Sequence, residues 1–267
     1  FLTYQFPNLR YMASTCKSPQ QMVGAMAKTY FAQKMNIRPE DIVVVSVMPC
    51  IAKKYEAGLP GESTFGVRDV DIVLTTRELA KMLKEGSIDL RHMPEEDFDS
   101  PLGKTSGAGI IFGVAGGVLE AALRTVYEKT TGTMLEDVNF VAVRGQNNTR
   151  IAEVEINGRK IRVAAVSGLG NTRKLLEKIE SGEEHFDIIE IMACPGGCVN
   201  GGGQPYSTNR DEILEERTRG LYHLDRNSSI RASHHNPAIQ TIYQEYLGEA
   251  GSHLAHQILH IEGLMDS

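Results

Sequence analysis

DIIEIMACPGGCVNGGGQP, residues 187–205, starts as an apolar run, ends that run in Met-Ala-Cys, and places a second cysteine four positions on, ahead of three glycines. A short apolar run of this kind reads as a strand. Thiols at Cys-x-x-x-Cys spacing are too close for separate elements and suit one tight loop. Gly196 and Gly197 let that loop fold sharply, and Gly201 to Gly203 let backbone approach an inorganic centre closely. A pair of buried cysteines beside a glycine turn reads the same way locally, but it leaves a second stretch unexplained. IVVVSVMPC, residues 42–50, is again an apolar strand ending in Met-x-Cys, here β-branched enough to predict burial on both faces. Ligands of open α/β sheets gather beyond the carboxyl ends of strands. The matching pair therefore predicts an α/β fold of two lobes, each a small, mostly parallel sheet flanked by helices, with a metal site in the cleft between them.

The rest of the chain alternates accordingly. Residues 18–35 predict a helix opened by a capping box, Ser18 to Gln21, with Pro19 at its first position. DVDIVLTT (69–76) is a strand running into a helix capped by Thr75 and Glu78 and stopped at Gly86. Residues 87–106 read as an irregular connection, and 109–130 as one long glycine-studded helix. DVNFVAVRG (137–145), a hairpin over 152–166 turning at Asn157-Gly158, and 185–192 supply strands. The helix between the last two strands predicts that they run parallel. The tail, 207–267, is polar and mostly helical. The division is a first lobe over 1–95, a second over 96–206, and an extension over 207–267 that packs back on the lobes.

Composition excludes several classes. With 267 residues, 41% hydrophobic and 23% charged, the chain is an ordinary globular sequence. A net charge of −6 with no basic run argues against nucleic acid, and no apolar stretch approaches a membrane span. Four cysteines in a chain this long are too few for a disulfide scaffold and fit metal ligation or catalysis. The first residue is Phe1, in mid-pattern, which reads as a piece of a longer protein.

MPCIAKKYEA (48–57) and EIMACPGGCVNGGGQP (190–205) resemble two of the three signature motifs of the [FeFe]-hydrogenase catalytic domain. STCKSPQQM (14–22), DVDIVLTTRELAKML (69–83) and SGAGIIFGVAGGVLEAALR (106–124) resemble the same family. The resemblance implies reversible reduction of protons to H2 at an H-cluster. That is a [4Fe-4S] cubane joined through a cysteine sulfur to a diiron subcluster bearing CO, CN and a bridging dithiolate. It implies that Cys50 and Cys194 ligate the cubane, that Cys198 bridges to the diiron unit, and that Lys53 donates to a cyanide. Met48 and Met192 then pack against carbonyls, Phe112 and Gln20 line the pocket, Ser14 belongs to a proton route, and Glu56 supports the site from behind. Gly196, Gly197 and Gly202 shape the binding loop.

The family's first motif, TSCCPxW, is absent and lies upstream of Phe1 in relatives, so the fragment alone is expected to be inactive or apo. The implied partners are a ferredoxin or other electron-transfer domain or subunit, maturation proteins, H2 and protons. The implied compartment is cytoplasmic, as free thiols and oxygen-sensitive clusters suit, although some relatives are periplasmic. The competing reading is a non-catalytic relative, a hydrogen sensor or an iron–sulfur scaffold. Scaffold relatives have no use for Lys53, Met48 and Met192 together.

Cys16, next to the helix start, is expected to be a small buried thiol rather than a cubane ligand. GKTS (103–106) lacks the glycine and strand of a phosphate loop, and GAGIIFG (107–113) misses the dinucleotide spacing. His253, His256 and His260 share a helical face that reads as a solvated tail. His234-His235 reads as a helix-start loop, 95–99 as a solvated acidic turn, and Tyr222 and His223 have no partner nameable from sequence.

Overall fold

Both Met-x-Cys strands form and end where the sequence places them. The computed structural model describes residues 1–133, 140–145 and 148–261. Helix α1 (19–35) starts at Pro19 and widens by a π turn at Ala27–Phe31. The predicted capping box is absent, because the Ser18 hydroxyl donates to Glu56 at 2.7 Å instead of capping its own helix. β1 (Val45–Met48) leads into α2 (Ala52–Glu56), and then a small antiparallel ribbon, β2 (Ser63–Thr64) with β3 (Val67–Arg68). β4 (Ile72–Thr75) returns parallel to β1, with Met48 opposite Thr75, and runs into α3 (Thr76–Glu85). Thr75 and Glu78 form the predicted reciprocal cap. The left-handed residue that ends α3 is Ser87 (φ 56) and not Gly86, whose φ is −76.

Burial along β1 corrects the expectation of two covered faces. Val43, Val45 and Val47 are 65, 49 and 42% exposed, whereas Ser46 is buried and Val44 and Met48 pack on Ala57, Val70 and Val73. A strand sends alternate side chains to opposite faces, and among the described residues this two-strand sheet is covered on one face only.

The second sheet is three-stranded and mixed. β5 (Thr149–Ile156) and β6 (Arg159–Ser167) form the predicted hairpin, with Asn157 and Gly158 both at positive φ (52 and 73). β7 (Ile188–Met192) lies parallel to β6. Val163 and Ala165 of β6 face Leu119 and Leu123 of α4 (Gly117–Thr131), while Ala164 and Val166 face Leu175 of α5 (Leu169–Glu180) and Phe186.

Two further expectations are corrected. Residues 109–130 are not one helix: a turn at Gly107–Ile110 and a 3-10 turn at Ile111–Gly113 precede a left-handed break at Gly116, and α4 begins after it. Of 137–145, residues 137–139 lie outside the described residues, and Val141–Val143 is a 3-10 turn rather than a strand.

The tail carries α6 (Arg210–Asn227), α7 (Pro237–Ile242) and α8 (His253–Leu259). Ile242, Ala255 and Ile258 pack with Ala25, Met26 and Tyr30 of α1. Asp225 of α6 and Glu120 of α4 close on Arg124 at 2.8 and 2.7 Å, all three fully buried. Among the described residues no helix is long and apolar enough to cross a membrane.

Candidate metal-cluster site

The two strand ends meet through backbone. The Gly203 N–H donates to the Pro49 carbonyl at 2.9 Å, and the Gly203 carbonyl accepts from the Arg77 N–H at 3.2 Å. A Cβ on Gly201 would stand 2.0 Å from the Pro49 oxygen, and one on Gly203 2.8 Å from the Cys50 nitrogen. The close approach enabled by the glycine run is thus onto the Pro49-Cys50 backbone, through its first and third members. Gly202, between them, is exposed and has room for a methyl group, with Ile51 3.4 Å away.

The Cys194–Cys198 loop is equally constrained. It closes with the Gly197 N–H on the Cys194 carbonyl at 3.0 Å. Gly197 has φ 102, and its absent Cβ would lie 2.5 Å from the Ala115 nitrogen, so only glycine fits. Gly196, at φ 78, accepts from the Ala115 N–H (3.2 Å) and donates to the Ser167 hydroxyl (3.1 Å). These bonds dock the loop on the end of β6 and on Ala115, just past the 3-10 turn that carries half-buried Phe112.

Cys50, Cys194 and Cys198 are all half-buried and reduced. Burial pushes the Cys198 thiol up, neighbouring Cys50 and Cys194 push it further, and Lys53 pulls it back. Three thiols and an ammonium therefore share one electrostatic neighbourhood. Thiolates brought together at two adjoining strand ends are the ligand type that iron–sulfur clusters take.

Behind the cysteines lies a polar network. Lys53 pairs with Glu56 at 2.6 Å, with about a quarter of each side chain exposed. The other Glu56 oxygen accepts from Gln20 (2.8 Å) and Ser18 (2.7 Å), and Gln20 accepts from Ser46 (2.8 Å). Gln20 is thereby buried and fully engaged, holding the carboxylate that holds Lys53. Met48 and Met192, the last residues of their strands, are both half-buried. Ser14 is placed differently: it is exposed, accepts from the Cys16 N–H at 3.2 Å, and lines an apolar hollow of about 380 Å³ with Leu9, Met12, Ile189 and Ile191. Cys16 is exposed rather than buried, and its Sγ lies 3.9 Å from His260 across an isolated β-bridge.

The profile described as "Iron only hydrogenase large subunit, C-terminal domain" matches residues 1–202, and that described as "Iron hydrogenase small subunit" matches residues 211–262. The chain belongs to the iron-only hydrogenase family. It is 51% identical over 260 residues to the NADP-reducing hydrogenase subunit HndD of Solidesulfovibrio fructosivorans, covering 97% of this chain and 44% of that protein. It is 43% identical to iron hydrogenase 1 of Clostridium pasteurianum, covering 96% and 46%. It thus spans less than half the length of these relatives. An apo [FeFe]-hydrogenase variant from Chlamydomonas reinhardtii superposes with a TM-score of 0.84 at 41% identity, covering 97% of this chain and 72% of that one. The small sheets flanked by helices match the mixed α/β fold of the [FeFe]-hydrogenase structures.

In this iron-only hydrogenase chain, one residue at the site escaped sequence reasoning. Glu190, in the middle of β7, is buried and accepts from the backbone N–H groups of Gly116 (2.6 Å) and Leu119 (2.7 Å), tying the strand to the start of α4. Burial pushes its carboxyl up, against the pull of those two bonds. The available signal was a lone carboxylate inside an apolar strand, since buried charges need partners. Tyr222, without a nameable partner in sequence, lies under the Arg144 guanidinium at 4.5 Å, and burial raises its phenol to about 12.

Proposed function

We propose that this chain is the catalytic-domain portion of an [FeFe]-hydrogenase, serving the reversible reduction of protons to H2. The observation that carries the reading is the meeting of Cys50, Cys194 and Cys198 at two strand ends with Lys53 beside them. In this reading Cys50 and Cys194 would hold the cubane and Cys198 would connect it to the diiron subcluster. When bound, the H-cluster supplies the electron path and the iron centre at which protons and H2 interconvert. Lys53 would present an ammonium to an anionic cyanide, a charge-assisted bond. Glu56 aims Lys53, and Gln20 aims Glu56. Met48, Met192 and Phe112 offer soft apolar surface to the carbonyl-bearing side. Gly196 and Gly197 leave the Cys194–Cys198 loop bare of side chains, and Ser14 serves a proton route. The lobes are 1–95 and 96–206, with 207–267 as the extension. A ferredoxin-type electron donor, maturation proteins and a reducing, cytoplasmic setting complete the proposal.

The test is anaerobic reconstitution of the full-length protein that carries this segment, counting iron and acid-labile sulfide. Cys198→Ala lowers both, and Cys16→Ala leaves them unchanged. Iron that depends on Cys16 and not on Cys198 overturns the ligand assignment. The scaffold reading draws on a 32% identical relative, cytosolic iron-sulfur assembly component 3 of Mus musculus. Infrared bands of CO and cyanide after maturation exclude a scaffold, and their absence from a cluster-loaded, matured protein supports it.

A further inference from the structure

We propose that Glu128, His234 and His235 form a second metal site, for a divalent ion of the zinc type, that staples the extension to α4. Both imidazole Nε2 atoms converge on one carboxylate oxygen: His234 at 2.5 Å and His235 at 2.8 Å from Glu128 Oε2, with ring centroids 4.2 Å apart. One donor atom from each of the three residues falls within 4.8 Å of the others. The side chains of Glu128 and His234 are 8 and 15% exposed, and that of His235 is 39% exposed, so an ion can enter from the His235 side.

The Thr125 hydroxyl lies 3.1 Å from His234 Nδ1, where it can accept the ring hydrogen once Nε2 faces an ion. Two imidazoles and a carboxylate are a zinc-type donor set that leaves a fourth position for water. Thr125 holds the first ring as outer partners hold metal-bound histidines. With bonds of about 2.0–2.2 Å to each ligand, the ion needs the donors to spread by less than about 1 Å. Thr125 and Glu128 lie in the segment matched by the large-subunit profile, and both histidines in the segment matched by the small-subunit profile. The ion therefore fastens one segment to the other at a place where the helix start capped by Asn236 explains the backbone but not the paired rings.

The competing occupant of the gap is a ring hydrogen on Nε2, donated to the Glu128 carboxylate. Zinc titration of the purified chain, read by 15N–1H correlations of the histidine rings, separates the two and ignores zinc held by the cysteines. The Nε2 resonances of His234 and His235 shift together at stoichiometric zinc. Thr125→Val weakens binding about 10–100-fold, and His235→Ala, at the most exposed ligand, weakens it further. Rings that keep a hydrogen on Nε2 of His234 and ignore zinc overturn the site. So does an unchanged zinc response in both variants.

Discussion

The two Met-x-Cys strand ends look alike in sequence and are held by different means. β7 belongs to a sheet covered on both faces, with Leu119 and Leu123 on one side and Leu175 and Phe186 on the other. Its one charged residue, Glu190, is spent on the start of α4. β1 shows a row of valines to the outside, and its cysteine end is placed by the chain of bonds Ser46–Gln20–Glu56–Lys53 and by Gly203. Apolar layers position Cys194 and Cys198, whereas hydrogen-bond geometry positions Cys50 and Lys53. Similar local sequence therefore delivers similar thiols by unlike means, packed layers in one case and directed bonds in the other.

The sharpest way to break this comparison is to cut into each sheet. Leu123→Ala, fully buried against the second sheet, costs about 2–5 kcal/mol in urea unfolding. Val45→Ala, half exposed on the first, stays within about 0.5 kcal/mol. Equal losses would erase the distinction. Gly197→Ala forces a side chain into left-handed backbone and onto Ala115, costing about 1–3 kcal/mol and lowering the iron bound on anaerobic reconstitution. Gly202→Ala keeps its iron. Gln20→Ala removes the acceptor of Ser46 and a donor to Glu56, costing about 1 kcal/mol for each net bond, seen as a lower melting temperature.

The smallest effect is one of pH. Lys54 first, then the Thr75 backbone and hydroxyl, hold the exposed Glu78 carboxyl down from 4.5 to about 2. A depressed carboxyl stabilises the fold above its ordinary value, and that contribution is lost as pH falls from about 4.5 to about 2. Glu78→Gln flattens this limb of the stability curve.

Much of this frame was legible because it follows short-range rules. The hairpin at Asn157-Gly158, the Thr75–Glu78 cap and the parallel β6–β7 pair each depend on spacing within a few residues or on one intervening helix. The convergence of Cys50, Cys194 and Cys198 was legible from the repeated Met-x-Cys ends. What failed was set by distant partners. Ser18 left its capping box for Glu56, the helix over 109–130 broke where Glu190 takes the Gly116 N–H, and the outer valines of β1 lack the second layer that their composition implies. His234-His235 read as a loop because Glu128 is remote in sequence and adjacent in space.

The bond from Gly203 to Pro49 also sets an order of events in the cell. Its two residues lie more than half the chain apart, and chains are made from the N-terminus at about 5–20 residues per second. Cys50 thus leaves the ribosome many seconds before the loop that completes its surroundings exists. During that interval it is a lone thiol on an emerging strand, open to oxidants and to any passing metal. In the proposed reading, Cys50, Cys194 and Cys198 become a set only when Gly203 docks, so insertion of iron waits for the 190–205 segment to be made.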